Sequence, residues 1–141
     1  MKPPILLDTG PLVALFYRRD QHHPWAEEQI GRLPAPLLTC EPVVTETCFL
    51  LQRLLGNSEA ALDFMQTGAM QVAFSLADEI AAVRSLMDRY ANVPMSLADA
   101  CLVRMSELYP DSIVLTTDSD FNIYRKHRRQ IIPTLMPPSD Q

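Results

Sequence analysis

The sequence predicts an α/β domain in three layers (α/β/α), a five-stranded parallel sheet between two layers of helices. Two observations predict it. Five short, largely apolar runs, at residues 5–7, 37–40, 70–74, 113–115 and 130–133, read as strands of a buried sheet. Segments with helical spacing separate them, and strands alternating with helices imply parallel strands with helices on both faces. The 141 residues suit a single domain, expected over 1–136, followed by a frayed tail at 137–141. An apolar fraction of 48% against 21% charged excludes a disordered chain, because that much apolar surface must be buried in a core.

The chain opens on Ile5-Leu6-Leu7, which ends abruptly on Asp8 and the turn residues Thr9-Gly10-Pro11. In open α/β sheets ligands bind just outside the carboxyl ends of the strands, so Asp8 stands where a site would form. Thr9 or Gly10 caps a short helix with Pro11 in its first turn and Leu12, Leu15 and Phe16 on one face, closed by Arg18, Arg19 and Asp20. His22-His23-Pro24 opens a second helix with a stripe of Trp25, Ala26, Ile30 and Leu33; both histidines read as caps or surface residues, not ligands. Pro34 and Pro36 bracket the exit into the second strand. Pro42 starts a helix that is apolar around most of its circumference from Val43 to Leu55 and stops at Gly56. A further helix is expected over 57–66, stopped by Gly68, and the third strand follows. Ser75 starts a helix with Ile80, Val83, Met87 and Tyr90 on one face. Ser96 starts another, rich in Ala, Leu, Val and Met, that runs to about Leu108 before Pro110. After the fourth strand come Thr116-Thr117-Asp118-Ser119-Asp120-Phe121, a short helix carrying Arg125, Lys126, Arg128 and Arg129, and the last strand.

Acids recur at strand ends and helix starts, and each also has a purely structural reading. Asp8 can cap the first helix. Glu46 lies about one turn into the third helix among Val43, Phe49 and Leu50, where a carboxylate in an apolar sector needs a cation or a strong hydrogen-bond network. A contact with Arg53, two turns on, is the plainer alternative. Ser96-x-x-Asp99 matches a capping box, and Ser75-Leu76-Ala77-Asp78 repeats the same tetrapeptide at another helix start. Asp78 leads into Glu79 on an ordinary amphipathic helix. Asp99 leads instead into Ala100-Cys101-Leu102-Val103, a helix apolar on nearly all sides and therefore expected to be buried. Asp118 and Asp120 follow a strand as Asp8 does, with the Thr116 and Thr117 hydroxyls beside them, and either can cap the next turn.

These acids converge only if the first and fourth strands are neighbours. Converging carboxylates repel, so they coexist only around a cation or with some members protonated. Oxygen donors without His or Cys suit a hard ion, Mg2+ or Mn2+, able to serve phosphodiester cleavage. No glycine-rich phosphate loop points to a nucleoside triphosphate site. Aspartyl-phosphate chemistry ordinarily wants a second Asp two residues after the first, where this chain has Gly10.

A net charge of −5 argues against coating nucleic acid by bulk attraction, while local basic patches remain compatible with it. Two such patches are Arg18-Arg19 and Arg125-Lys126-His127-Arg128-Arg129, which read either as solvated faces or as guides for a phosphate backbone. Cys40, Cys48 and Cys101 fit no zinc or redox spacing and read as reduced thiols of a cytoplasmic protein. Neither end resembles a signal peptide, and no apolar run approaches membrane-spanning length.

With these residues laid out, the chain resembles the PIN-domain family, especially the single-domain VapC-like toxins of prokaryotic toxin–antitoxin pairs. The resemblance rests on Leu6-Leu7-Asp8-Thr9-Gly10-Pro11-Leu12, Val44-Thr45-Glu46, Leu97-Ala98-Asp99-Ala100 and Thr116-Thr117-Asp118-Ser119-Asp120-Phe121, in that order. It implies a five-stranded parallel sheet in the order 3-2-1-4-5, with the first and fourth strands side by side. It also implies that Asp8, Glu46, Asp99 and Asp118 match the family's metal-binding acids, with Asp120, Thr9 and Thr116 at the same site. Family members are typically Mg2+- or Mn2+-dependent endoribonucleases that dimerise and are inhibited by a small antitoxin. A PIN-like module that binds RNA or protein without cutting is the alternative.

Overall fold

The computed structural model describes residues 2–139; Met1 and, from the expected tail, Asp140 and Gln141 lie outside the described residues. In chain order the first half comprises β1 (Ile5–Leu7), α1 (Thr9–Phe16), α2 (His23–Arg32), β2 (Leu37–Thr39), α3 (Glu41–Leu55), α4 (Ala60–Gln66) and β3 (Met70–Val72). The second half comprises α5 (Ile80–Arg89), α6 (Leu97–Leu108), β4 (Ile113–Leu115), a 3-10 turn (Ser119–Asn122), β5 (Arg125–Lys126), β6 (Gln130–Ile131) and β7 (Thr134–Leu135).

β1 carries no polar side chain, so it can lie at the centre of the sheet, and all three of its residues are buried. It pairs in parallel with β2 (Leu6 opposite Leu38) and with β4 (Leu6 opposite Val114). The main sheet runs β3-β2-β1-β4-β7, all parallel, which is the expected order when its strands are counted along the chain. Right-handed crossovers then place α1 to α4 on one face and α5 and α6 on the other. Leu6, Leu7, Leu12, Val43, Leu102, Met105, Val114 and Leu115 are fully buried between the layers. Each such large side chain contributes roughly 1.5–3 kcal/mol. As expected, α6 is buried from Ala98 to Val103. Among the described residues no helix is long and apolar enough to cross a membrane.

Several local expectations are corrected. The fifth strand of the sheet is Thr134–Leu135; residues 130–131 pair instead with Arg125–Lys126 in a separate antiparallel hairpin. Pro133 has no N–H to donate, and its carbonyl accepts from Val114 N at the start of the true strand. The basic residues 125–129 thus lie on that hairpin rather than on a helix, with His127 and Arg128 at positive φ in its turn. The Glu107 carboxylate on α6 accepts from His127 N at 2.7 Å and holds this turn in place. α4 begins at Ala60, three residues later than expected, because Asn57 Oδ1 accepts from Glu59 N at 2.9 Å and favours a turn there. α5 likewise begins only at Ile80, after a turn through Asp78. The outer side of α3 is exposed, not covered: Phe49, Leu50, Leu54 and Leu55 all face solvent.

Candidate active site

The sheet order puts the carboxyl ends of β1 and β4 side by side, and an acid follows each, Asp8 directly after β1 and Asp118 beyond Thr116 and Thr117 after β4. Asp8 N continues the pairing by donating to Leu115 O at 3.0 Å. Asp8 then caps α1, its Oδ1 accepting from Thr9 N at 2.7 Å. Its other oxygen, Oδ2, accepts the Thr116 hydroxyl proton at 2.7 Å from just beyond β4. Thr116 Oγ1 also accepts from Asp118 N at 2.9 Å, so one hydroxyl ties Asp8 to the backbone that positions Asp118. Asp118 in turn caps the 3-10 turn, its Oδ1 accepting from Asp120 N at 2.9 Å. Gly10 lets this loop pack onto the start of α1, since a Cβ there would stand 2.1 Å from Thr117 Oγ1.

Thr9 makes the matching link on the other side, donating its hydroxyl to Glu46 Oε2 at 2.9 Å. Glu46 therefore reaches the site, but for a different reason from the one read in the sequence. Its helix neighbours Phe49 and Leu50 are exposed and so is Glu46, so no burial penalty drives it there. No Glu46–Arg53 ion pair occurs among the described residues; the Arg53 guanidinium lies over the Phe49 ring.

Asp99 completes the group from α6. Its capping box with Ser96 is reciprocal: Asp99 N donates to Ser96 Oγ at 3.1 Å and Ser96 N to Asp99 Oδ2 at 3.3 Å. The same Oδ2 accepts the Tyr124 hydroxyl proton at 3.0 Å. Asp99 thus caps α6 and also stands close enough to Asp8 and Asp118 for their charges to act on one another. Asp78 makes only half the box, through Asp78 N to Ser75 Oγ at 3.2 Å, and sits beyond the edge strand β3. Tyr124 was invisible to sequence reasoning. The one signal is its place three residues after Phe121, which stacks edge-on with it in the core.

Electrostatics mark these acids as one group. Burial pushes the Asp8 carboxyl up to about 7, and the nearby charges of Asp99 and Asp118 push the same way against the hydrogen bonds from Thr116 and Thr9. Burial also raises Asp99, with Asp118 adding to it against the Tyr124 and Ser96 hydrogen bonds. Burial and Asp99 together raise the Tyr124 phenol, which keeps it a donor. Among the described residues no three His, Cys, Asp or Glu side chains stand close enough together to hold a metal ion as they are. The donor chemistry nevertheless fits a hard cation: oxygen ligands only, partly buried and mutually repelling.

Arg18, Arg19 and the turn of the basic hairpin lie away from this edge. The eight residues of α1 carry the chain about 12 Å from Asp8 before Arg18 and Arg19, which line a cleft with Phe16 and Leu54. The turn of the hairpin, at His127, is held at Glu107, about 12 Å along α6 from Asp99, while its first strand follows directly on Tyr124. Arg125 Nη1 donates to the carbonyls of Asn122, Ile123 and Tyr124, so this side chain ties down its own turn. His23, read from the sequence as a cap or surface residue, is instead largely buried against α1, its Nδ1 2.6 Å from Ala14 O.

The chain is similar in sequence and fold to known proteins. Ribonuclease VapC26 of Mycobacterium tuberculosis is 28% identical over 116 residues, covering 81% of this chain and 86% of that protein. The crystal structure of VapC20 from Mycobacterium tuberculosis, a sarcin–ricin loop cleaving toxin, matches with a TM-score of 0.75 at 23% identity, over 84% of this chain and 93% of that one. The family description for the PIN domain matches residues 5–126, a span that starts at β1 and ends at β5 and so takes in every acid at the sheet edge. On that match the chain belongs to the PIN domain family.

Proposed function

We propose that this protein is a divalent-metal-dependent endoribonuclease and the toxin of a toxin–antitoxin pair, working in the cytoplasm. The observation that carries the reading is the hydroxyl-bridged set at the sheet edge: Thr116 links Asp8 to the Asp118 loop, and Thr9 fastens Glu46 beside them. Its similarity to ribonuclease VapC26 supports the substrate class. Asp8, Glu46, Asp99 and Asp118, with Asp120 beside them, would hold Mg2+ or Mn2+. Such an ion supplies a Lewis acid for phosphodiester oxygens and activates water. Thr9 and Thr116 orient the carboxylates of Glu46 and Asp8, and Tyr124 fixes Asp99. Arg18, Arg19, Lys126, Arg128 and Arg129 act on RNA at a distance, as steering charges and contacts to phosphates beyond the cleaved one, with Arg125 stiffening the hairpin. Exposed Phe49, Leu50, Leu54 and Leu55 on α3 and Leu108 on α6 supply apolar surface for a homodimer and for a small antitoxin.

A PIN-like module that binds RNA or protein without cutting is favoured by one observation, the lack of a ready-made trio of metal ligands among the described residues. One experiment decides. Wild-type protein should cut RNA with Mn2+ and not with chelator, and Mn2+ should raise its melting temperature. Asp8→Asn should slow cleavage by more than about 100-fold while remaining folded. Metal-independent cleavage, or full activity in Asp8→Asn, would overturn the nuclease; binding of RNA with no metal-dependent stabilisation would establish the binder.

A further inference from the structure

Beside the acids lies a cavity of about 460 Å³, within the roughly 300–1,000 Å³ typical of small-ligand pockets. Its walls come from the start of α3 (Glu41, Thr45, Glu46), the segment after β3 (Phe74, Leu76) and the start of α6 (Leu97). Cavity and acid cluster are continuous. Glu46 lines the cavity while accepting from Thr9 beside Asp8, and Leu97 is two residues before Asp99.

The chemistry of this lining narrows its occupant. Phe74, Leu76 and Leu97 make an apolar wall with one aromatic ring. Glu41 and Glu46 offer acceptors only, and neither has an ion-pair partner among the described residues. The Thr45 hydroxyl is spent on Glu41 O at 3.0 Å, so it adds no donor. A phosphate at Glu41, which lies outside the acids assigned to the metal, would meet an uncompensated carboxylate and be repelled. A nucleobase fits instead: flat apolar faces for the ring, N–H donors at the edge, and a tether to a phosphodiester at the neighbouring acids. Guanine alone among the RNA bases carries two adjacent donors, N1–H and N2–H, on its pairing edge, at the spacing of two carboxylate oxygens. Glu46 is already engaged with Thr9, which leaves Glu41 for this role.

We propose that this cavity is a base-recognition subsite that holds a guanine next to the cleaved phosphodiester, its ring against Phe74 and its N1–H and N2–H on the Glu41 carboxylate. The proposal rests on the ribonuclease reading and assigns that enzyme a sequence preference.

The test uses short RNAs identical except for one position carrying guanine, adenine, cytosine, uracil or inosine, which keeps N1–H but lacks the N2 amine. With Mn2+, wild-type protein should favour guanine over inosine roughly 5- to 150-fold in kcat/KM. In Glu41→Gln that ratio should fall toward one. Phe74→Ala should weaken all bases together by roughly 5-fold or more, as loss of a stacking surface does. Equal cutting of guanine and inosine by wild type, or an unchanged ratio in Glu41→Gln, overturns the subsite. So does conversion of a dimer to a monomer by either variant, which would make the cavity an interface between copies. If no RNA is cut, the ribonuclease reading has failed, and the subsite is judged alone by titrating guanosine and inosine 3′-monophosphates against the backbone amide signals of Glu41, Thr45 and Phe74. A guanosine-selective shift there supports it; no selective shift overturns it.

Discussion

The raised carboxyl of Asp8 makes the metal-free protein's stability fall as pH rises. The ordinary value is 3.8 and the folded value about 7, so the folded state holds the Asp8 proton more tightly than the unfolded state does. Between those two values the folded chain binds more protons, and stability declines with pH until both states are ionised above about 7. At 1.36 kcal/mol per pH unit the decline amounts to about 4 kcal/mol, a large part of a small domain's total stability. Asp99, raised for the same reason, adds to the slope in the same direction. The assay is urea unfolding in chelator at pH 5, 6, 7 and 8. Asp8→Asn keeps the shape and the cap but cannot ionise, so it should flatten most of the slope. At pH 8 it should also be more stable than wild type. Its amide must face Thr116 Oγ1 where a carboxylate oxygen accepted before, which costs about 1 kcal/mol, so the net gain at pH 8 is about 3 kcal/mol. Mn2+ should restore stability at pH 8 in wild type and not in the variant. A slope that survives unchanged in Asp8→Asn, or a variant weaker than wild type at pH 8, would refute the claim that Asp8 is held at the cost of its charge.

Two further outcomes follow from the packing. Gly10→Ala places a methyl 2.1 Å from Thr117 Oγ1 and should destabilise by about 1–3 kcal/mol in thermal or urea unfolding. Most of that loss should be recovered by adding Thr117→Ala, and a double-mutant cycle with no coupling would show that the loop does not rest on α1. The exposed apolar side of α3 predicts a homodimer by light scattering at micromolar concentration, and Phe49→Asp with Leu54→Asp should make it monomeric without lowering the melting temperature of the fold. A wild-type protein that is monomeric there would contradict the dimer.

Much of this architecture was legible in the sequence because strand burial and helix punctuation are local. Ile5-Leu6-Leu7 and the Gly56 and Ser96 boundaries needed only their neighbours in the chain, and each lies where the pattern put it. What failed was set by distant contacts. The basic stretch at 125–129 has helix-compatible composition, yet the turn is fixed by Glu107, a residue 20 positions away. Glu46 stands near Asp8 for a reason its own neighbours do not show: its holding bond comes from Thr9, 37 residues earlier, and its apolar neighbours are at the surface. Tyr124, which joins Asp99 across 25 residues, carried no signal beyond its spacing from Phe121.

The two identical tetrapeptides show that capping a helix does not keep an Asp from standing beside other acids. Asp8, Asp99 and Asp118 each sit at a helix start, as N-cap, third residue and N-cap in turn, and each accepts a backbone N–H there. The starts of these two helices and one 3-10 turn therefore face the same sheet edge. Backbone donors at such positions stabilise a nearby carboxylate by roughly 0.3–1 kcal/mol each, which offsets part of the repulsion among the three. Asp78 has a comparable local sequence but no second or third acid to join, because β3 is the outermost strand. Position in the sheet, not the tetrapeptide, decides which cap stands beside other acids. The same fact dictates how these acids must be probed. Alanine removes cap and charge together, at about 1 kcal/mol for the cap alone, so a dead Asp→Ala variant reports on the fold as much as on the chemistry. Asparagine caps about as well as aspartate, so an Asp→Asn variant that stays folded and loses function isolates the charge.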